Sequence, residues 1–474
     1  MKILILGAGR VGESVAESLV SEQNDITIID TQPDRLAYLQ DRLDLRTVAG
    51  NGIQPSVLRA AGAEDADMLI ACGPMDETNL VACKVAHEVF GIQTRIARVR
   101  SSEFTDGSPL MGKAGFAVDE VICPEESLTD YIRKLIEYPE ALQVLEFSQR
   151  QASLIAVRAM EGGPMVHHVI SDLPLLVPDL PMRIVALYRR DAAGSDRQVV
   201  CDGSTRIEVG DELFVLAASR HVRGVLDALH RRDNPVRRVI IAGGGRVGLR
   251  LTRHIANSVQ VKIIESNASR CEYLSTQVPG HTLVLHGDST DEDLLEHENV
   301  QDADLFLALT SDDEDNIMSC LLAKRMGAQR VLALINRRAY ADLVQGQGTQ
   351  IDIAVSPSQT IIGELLAHVR RGDVAAVFSL RRGDAEALEA VARGDERSSK
   401  VVGRRIDELS LPQGAQIGAI VRDGPGEDLK PAKEVIIPHH DTVIRSGDHV
   451  VVFLPRKRMV RQIEKLFQVS ATFF

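Results

Sequence analysis

Ile3-Leu4-Ile5-Leu6-Gly7-Ala8-Gly9-Arg10-Val11-Gly12 opens the chain and returns midway as Val239-Ile240-Ile241-Ala242-Gly243-Gly244-Gly245-Arg246-Val247-Gly248. Each copy is an apolar run that feeds a G-x-G-x-x-G loop. Gly243 lies 236 positions beyond Gly7, close to half of the 474 residues. One such loop is a weak signal. Two, at matching places in similar halves, point to a duplicated nucleotide-binding unit.

The repetition extends well beyond the loops. In the first half, short apolar segments at Lys2–Leu6, Asp25–Asp30, Leu45–Ala49, Met68–Ala71, Thr94–Val99 and Glu120–Ile122 read as strands. Helical spacing follows Gly12 and fills Pro33–Leu43 and Asp76–Phe90. In the second half, Val261–Glu265 answers Asp25–Asp30 and Leu283–His286 answers Leu45–Ala49. Asp302-Ala303-Asp304 answers Asp65-Ala66-Asp67, and Asp313-Glu314-Asp315-Asn316 answers Asp76-Glu77-Thr78-Asn79. Short apolar strands alternating with helices predict a parallel, doubly wound sheet in each half.

A different kind of segment follows each repeat. Strand-like stretches at Ala141–Phe147, Ser153–Arg158, Arg183–Arg189 and Glu212–Ala217 are matched later by Val374–Ser379, Gln416–Val421 and His449–Leu454. Both sets carry Gly-Asp before the final strand, at Gly210-Asp211 and Gly447-Asp448, and both end in helices, Arg220–Leu229 and Lys457–Phe467. The expected fold is therefore α/β, with two Rossmann-like doubly wound parallel sheets, each followed by a small α+β domain. The expected domains are 1–123, 140–228, 234–356 and 374–456. Arg231–Pro235, polar and closed by Pro, reads as a hinge between the halves.

Composition narrows the function classes. The apolar fraction of 44% with 26% charged residues is that of a globular protein. A net charge of −13 and the lack of Lys/Arg blocks with interleaved aromatics argue against nucleic acid as a partner. The six cysteines are scattered without C-x-x-C, as expected for reduced thiols in a cytoplasm. No stretch approaches the roughly 18 apolar residues of a membrane span. His167-His168 and His439-His440 are adjacent pairs without a surrounding ligand set, so no metal site is expected. No catalytic residue is nominated either.

The chemistry resides in the loops. The first glycine makes the tight turn, the second lets backbone approach a pyrophosphate, and the third permits close helix–sheet packing. The helix start offers free N–H groups to phosphate. Gly7, Ala8, Gly9, Arg10 and Val11 are candidate nucleotide contacts in the first half; Gly243, Gly244, Gly245, Arg246 and Val247 are their counterparts. Asp30 ends the second strand 18 residues after Gly12, where an acid accepts hydrogen bonds from ribose hydroxyls, and Glu265 holds the same place after Gly248. A carboxylate there repels a 2′-phosphate and favours NAD(H) or ATP/ADP over NADP. Asn51 and Asp288 follow the third strands, where a loop can approach adenine. Gly73 and Pro74, and Thr310, follow the fourth. Arg98 ends the fifth strand within reach of a phosphate, and Leu334 stands at the corresponding place. The second site is therefore expected to bind more weakly or to prefer another nucleotide.

These residues, from Met1-Lys2-Ile3 through Gly12, with Asp30, Gly50-Asn51 and Ile96-Ala97-Arg98-Val99 and their second-half counterparts, carry a resemblance. The chain resembles the RCK/KTN family of regulators of potassium conductance and uptake, over nearly its whole length. It is similar above all to the duplicated, potassium-uptake type. The resemblance implies a cytoplasmic regulatory subunit bound peripherally to the inner face of the cell membrane. It further implies a homo-oligomeric ring, a tetramer of two-repeat chains, against an integral-membrane potassium translocation subunit. NAD(H) and ATP/ADP would act as regulatory ligands whose binding changes ring shape and flux. The helices after each sheet, at Ser127–Tyr138 and Gln359–Arg370, would serve in pairing. Glu265 for Asp and Leu334 for Arg are departures that bear on the second ligand.

Two other readings remain open at this level. An NAD-dependent dehydrogenase would need an acid or base placed against nicotinamide, and the small domains show no obvious group of that kind. A scaffold with relic glycine loops would bind no nucleotide at all.

Overall fold

The apolar run after Met1 becomes the centre of a parallel sheet, and the rest of the fold is arranged around two such centres. The computed structural model describes residues 1–20, 24–101, 104, 109–190, 196–199, 201–230, 235–337, 340, 343–344, 351–369, 374–380, 385–424 and 432–469. The first sheet contains β1 (Lys2–Leu6), β2 (Asp25–Asp30), β3 (Arg46–Ala49), β4 (Met68–Ala71), β5 (Thr94–Arg98) and β6 (Glu120–Ile122), in the order β3-β2-β1-β4-β5-β6. An antiparallel sheet follows, with β7 (Ala141–Phe147), β8 (Ala152–Arg158), β9 (Met182–Arg190), β10 (Asp196–Val199) and β11 (Glu212–Ala218), ordered β10-β9-β11-β8-β7.

The third sheet is parallel again. It contains β12 (Arg238–Ala242), β13 (Gln260–Glu265), β14 (Leu283–His286), β15 (Leu305–Ala308), β16 (Arg330–Leu334) and β17 (Ile353–Val355), ordered β14-β13-β12-β15-β16-β17. The fourth is antiparallel, with β18 (Val374–Leu380), β19 (Ala385–Val391), β20 (Gln416–Gly424), β21 (Ala432–Ile436) and β22 (His449–Leu454), ordered β18-β19-β22-β20-β21. Read from opposite edges, the second and fourth sheets have one topology. The first and third share the doubly wound order, whose switch point lies beside the first strand.

Two compact units result, Met1–Arg133 with Val236–Leu365, and Lys134–Pro235 with Leu366–Phe474. In the first, β4 and β15 are buried at every position, as strands covered on both faces must be. Arg10–Val20 turns Val11, Val15, Ala16 and Leu19 inward at helical spacing. The repeated Asp-Ala-Asp has a plain structural task. Asp67 accepts from the Lys2 N–H at 2.8 Å, and Asp304 from the Arg237 and Arg238 N–H groups at 2.7 and 2.8 Å. Each carboxylate pins the start of the central strand.

In the second unit the two antiparallel sheets share a core in which Phe147, Val185, Phe214 and Leu216 meet Leu380, Ala387, Ala419 and Phe453. The Gly-Asp pairs are likewise structural. Gly210 and Gly447 both turn at φ +89°. Asp211 takes a two-pronged hydrogen bond from Arg189, both at 2.7 Å, and Asp448 takes one from Arg422 at 2.8 and 2.7 Å.

Several boundaries differ from expectation. The helices after each parallel sheet begin earlier, spanning Pro124–Glu137 and Pro357–Val369, because a proline in the first turn supplies helical φ and lacks only an N–H that would be unbonded anyway. Ala385–Val391 is rich in helix formers, yet it lies between β18 and β22 as a buried strand; packing overrides propensity there. The edge strands β10 and β21 carry no alternating apolar pattern and were not expected. Most of the hinge expected at Arg231–Pro235, and Arg370 at the expected end of the second of these helices, lie outside the described residues.

Candidate functional site

The candidate residues converge at the carboxyl ends of β1, β2, β4 and β5, on both sides of the switch point. The glycine loop holds its shape for reasons that can be read atom by atom. Gly7 sits at φ +105°, and a Cβ there would meet the Cys72 and Gly73 backbone at 3.1 Å. A Cβ on Gly12 would lie 1.8 Å from the Gly7 carbonyl oxygen. A Cβ on Gly9 would meet nothing within 4 Å. So the first and third glycines serve close packing, whereas the second leaves open space over the backbone. Gly243, Gly248 and Gly245 repeat these three roles, with a Gly248 Cβ 2.2 Å from the Gly243 oxygen and open space at Gly245. Residues with this geometry fit a pyrophosphate.

Asp30 reaches back to the loop. Its carboxylate accepts the Ala8 N–H at 2.6 Å and the Gln32 N–H at 2.9 Å. Glu265 does the same for Gly244 and Asn267, each at 3.0 Å. The two halves have adjusted to the extra methylene. A Cβ on Gly244 would lie 2.2 Å from a Leu274 methyl and 3.2 Å from Glu265 Oε2; the longer acid goes with glycine where the first half has alanine. Sequence reasoning did not single out Arg270, whose Nε donates to the Gly244 carbonyl at 2.9 Å.

The loops after the third strands are side-chain-stabilised turns. Asn51 accepts from the Ile53 N–H at 3.2 Å. Asp288 accepts from the Thr290 N–H and hydroxyl, both at 2.8 Å, and these bonds, the backbone one first, lower its pKa. The exposed turn is thus neutral in one half and anionic in the other.

The wall after β4 and β5 differs most. Asn79 is buried; its Oδ1 accepts the Gly73 N–H at 2.7 Å, and its amide donates to the carbonyls of Gly73 (3.1 Å) and Arg98 (2.8 Å). Asn316 makes the same set with Thr310 (2.9 and 3.1 Å) and Leu334 (2.8 Å). Arg98 therefore does correspond to Leu334, which is buried. A second cation was missed by the sequence reading. The Arg100 and Ser101 N–H groups bond to Asp76, and those of Asn336 and Arg337 bond to Asp313. Arg100 thus has Asn336 as its counterpart. Strand alternation, which puts residues two apart on one face, was the available signal.

Arg98 is 12% exposed and pairs with Glu125 at 2.9 Å; its Nε is buried without a hydrogen-bond partner among the described residues. Arg100 donates to the Pro74 carbonyl at 3.0 Å and lies 3.6 Å from Glu125. Burial, then the neighbouring Arg98 guanidinium, and also that of Arg246, push its pKa down. Arg250 bonds the Cys123 sulfur at 3.3 Å and approaches Glu126 at 3.5 Å. Arg246 and Arg250 belong to the second half, so its loop–helix faces the cationic wall of the first. Among the described residues no group of three or more His, Cys, Asp or Glu is arranged to hold a metal ion, and no helix is long and apolar enough to cross a membrane.

Two doubly wound sheets with glycine loops and ribose-position acids, each followed by a small antiparallel sheet, define a tandem RCK-type protein. The GsuK RCK domain superposes with a TM-score of 0.58 at 17% identity, covering 98% of this chain and 94% of that one. A GsuK channel structure bound to NAD gives 0.59 at 18%, covering 98% and 78%; at such identity the likeness concerns the fold. The TrkA-N domain model matches residues 3–124 and 239–357, and the TrkA-C domain model matches 396–468. The chain is 52% identical to the Trk system potassium uptake protein TrkA of Halomonas elongata and 49% identical to that of Vibrio alginolyticus, over the full length of both chains in each case. The chain belongs to the TrkA family of Trk-system potassium uptake proteins.

Proposed function

We propose that this chain is the nucleotide-sensing regulatory subunit of a potassium-uptake system. In this reading residues 1–123 and 234–356 each bind an adenine nucleotide, NAD(H) or ATP/ADP, and 140–228 and 374–456 carry the response. The observation that carries the nucleotide assignment is the Asp30 carboxylate fixed on the Ala8 N–H beside the open face of Gly9. Potassium enters through membership of the family and the full-length similarity to its named relatives.

Gly7, Ala8, Gly9, Arg10 and Val11 would line the pyrophosphate, Asp30 the adenosine ribose, Asn51 the adenine side, and Gly73, Pro74 and Arg98 the distal phosphates. Gly243 to Val247, Glu265, Asp288 and Thr310 would do the same in the second half, with Leu334 where the first half has Arg98. That half should therefore favour ligands of lower phosphate charge. The subunit would act on an integral-membrane potassium translocator of Trk type from the cytoplasmic face, as a homo-oligomeric ring, a tetramer of two-repeat chains. The nucleotide would be signal rather than hydride donor. It shifts flux only insofar as it binds two ring shapes with different affinity.

The test combines titration of the purified chain with NADH, ATP and ADP, and growth at limiting potassium. Asp30→Ala should weaken binding in the first half by roughly 1–3 kcal/mol, the scale of a hydrogen bond to a charged group, and should alter potassium-limited growth. Unchanged binding and growth would count against the reading. Steady nicotinamide turnover with alcohols or hydroxy acids would replace it with a dehydrogenase.

A further inference from the structure

The repeated Asp76-Glu77-Thr78-Asn79 and Asp313-Glu314-Asp315-Asn316 stand out in the sequence and are not among the candidate nucleotide contacts. We propose that Asp76 and Asn79 are positioning residues for the polyphosphate end of the first-half site: they lock together the two loops that present Gly73, Pro74, Arg98 and Arg100. This rests on the nucleotide reading above and deepens it.

The argument starts from where the side chains spend their hydrogen bonds. Asp76 opens the helix Asp76–Phe90, whose first N–H groups would ordinarily attract such an acid. Its Oδ2 instead accepts the N–H groups of Arg100 at 2.9 Å and Ser101 at 3.0 Å, just beyond the end of β5. Asn79, one helical turn on, bonds both backbone groups of Gly73 and the carbonyl of Arg98. The pair therefore staples the loop after β4 to the loop after β5 through one helix end. The Arg100 guanidinium closes the ring by donating to the Pro74 carbonyl.

The second half builds the same staple. Asp313 accepts the Asn336 and Arg337 N–H groups at 2.9 and 2.8 Å, and Asn316 accepts the Thr310 N–H and donates to the Leu334 carbonyl. There a separate residue, Asp312, caps the helix by accepting the Asp315 N–H at 3.0 Å. Capping and stapling are thus separate tasks, and Asp76 and Asp313 perform the second. What the staple holds differs. In the first half it fixes the backbone of Arg98 and Arg100; in the second it fixes that of Leu334, Asn336 and Arg337, and the Arg337 guanidinium is engaged by Glu314 at 2.7 Å and the Tyr340 hydroxyl at 3.0 Å. The same backbone lesion should consequently have a charge-specific effect in one half only.

The experiment compares Asp76→Ala, Asp76→Asn and Asp313→Ala in the full-length chain. Calorimetric titration with ADP and with adenosine is read at the first-half component, identified by its loss in Asp30→Ala. Asp76→Ala should cut the preference for ADP over adenosine about tenfold or more, while adenosine affinity changes little. Asp76→Asn, whose amide oxygen can still accept both N–H groups, should restore the preference. Asp313→Ala should leave it unchanged. Should Asp76→Ala fail to fold, Asp76→Leu, similar in shape and without an acceptor, carries the same comparison.

A preference that survives Asp76→Ala or Asp76→Leu, that falls equally in Asp76→Asn, or that falls equally in Asp313→Ala would overturn the proposal while leaving the nucleotide reading intact. Absence of nucleotide binding by the unaltered chain would overturn both.

Discussion

In the first unit the wall after β4 and β5 and the wall after β15 and β16 share a frame and differ in charge. Asn79 and Asn316 hold their loops with the same three kinds of bond, and Asp76 and Asp313 tie the strand beyond to the helix start. Yet Arg98 and Arg100 stand in one wall where Leu334 and Asn336 stand in the other, and the neutral Asn51 turn is replaced by the anionic Asp288. The frame that holds the backbone is common to both halves; the charge beside it is not. A polar side chain that satisfies buried backbone groups is costly to lose in folding, whereas the exchange of Arg98 for Leu334 leaves those backbone bonds in place.

The harshest way to break the comparison is to destroy one glycine loop at a time. Gly12→Val places a side chain against the Gly7 carbonyl, and Gly248→Val does so against Gly243. Each should cost about 3 kcal/mol or more, the upper range for overpacking, and abolish nucleotide binding in its own half. Thermal unfolding and titration check this; loss of both sites from one substitution would mean that the halves do not bind independently.

Removing the cation sharpens it next. Arg98→Leu gives the first wall the side chain of the second. ADP affinity there should fall by about 1.5–3 kcal/mol, the worth of a charge-assisted bond, and its salt dependence should become shallower. An unchanged salt slope would place the phosphates elsewhere.

A smaller effect separates the two antiparallel sheets of the other unit. Glu389 on β19 is buried and takes the N–H and hydroxyl of Ser148, both at 2.9 Å, and a hydrogen bond from His449. Pairing register gives Ala156 of β8 as its counterpart. Burial alone would raise the Glu389 pKa, but the bonds from His449 and Ser148 leave it below its usual 4.5. A depressed carboxylate pKa contributes stability above the unfolded value, lost as pH falls through the folded one. Glu389→Gln should therefore flatten the decline in melting temperature on acidification below pH 4.5. An identical acid profile would remove Glu389 from the account.

The mildest test adds what the first half lacks. Met75 precedes the helix Asp76–Phe90 without a capping bond, where Asp312 caps its counterpart. Met75→Asp should stabilise the chain by roughly 1 kcal/mol, visible as a rise in melting temperature.

The sequence by itself determined the fold class, the doubling and the two glycine loops. These rest on local rules: a turn that only glycine permits, an acid at the end of a strand, apolar runs of strand length. It also identified the loss of Arg98 in the second half, because a strand keeps its register through a repeat. It did not yield β19, whose Ala385–Val391 composition favours helix until neighbouring strands claim its backbone. It did not separate structure from chemistry in the repeated acids either. Asp67 and Asp304 pin strands, Asp211 and Asp448 hold arginines, and Asp76 and Asp313 staple loops, though all read alike as conserved-looking charges within one chain. Only the tertiary structure decided which is which, because a carboxylate's role is set by the N–H groups and guanidiniums that distant segments bring to it.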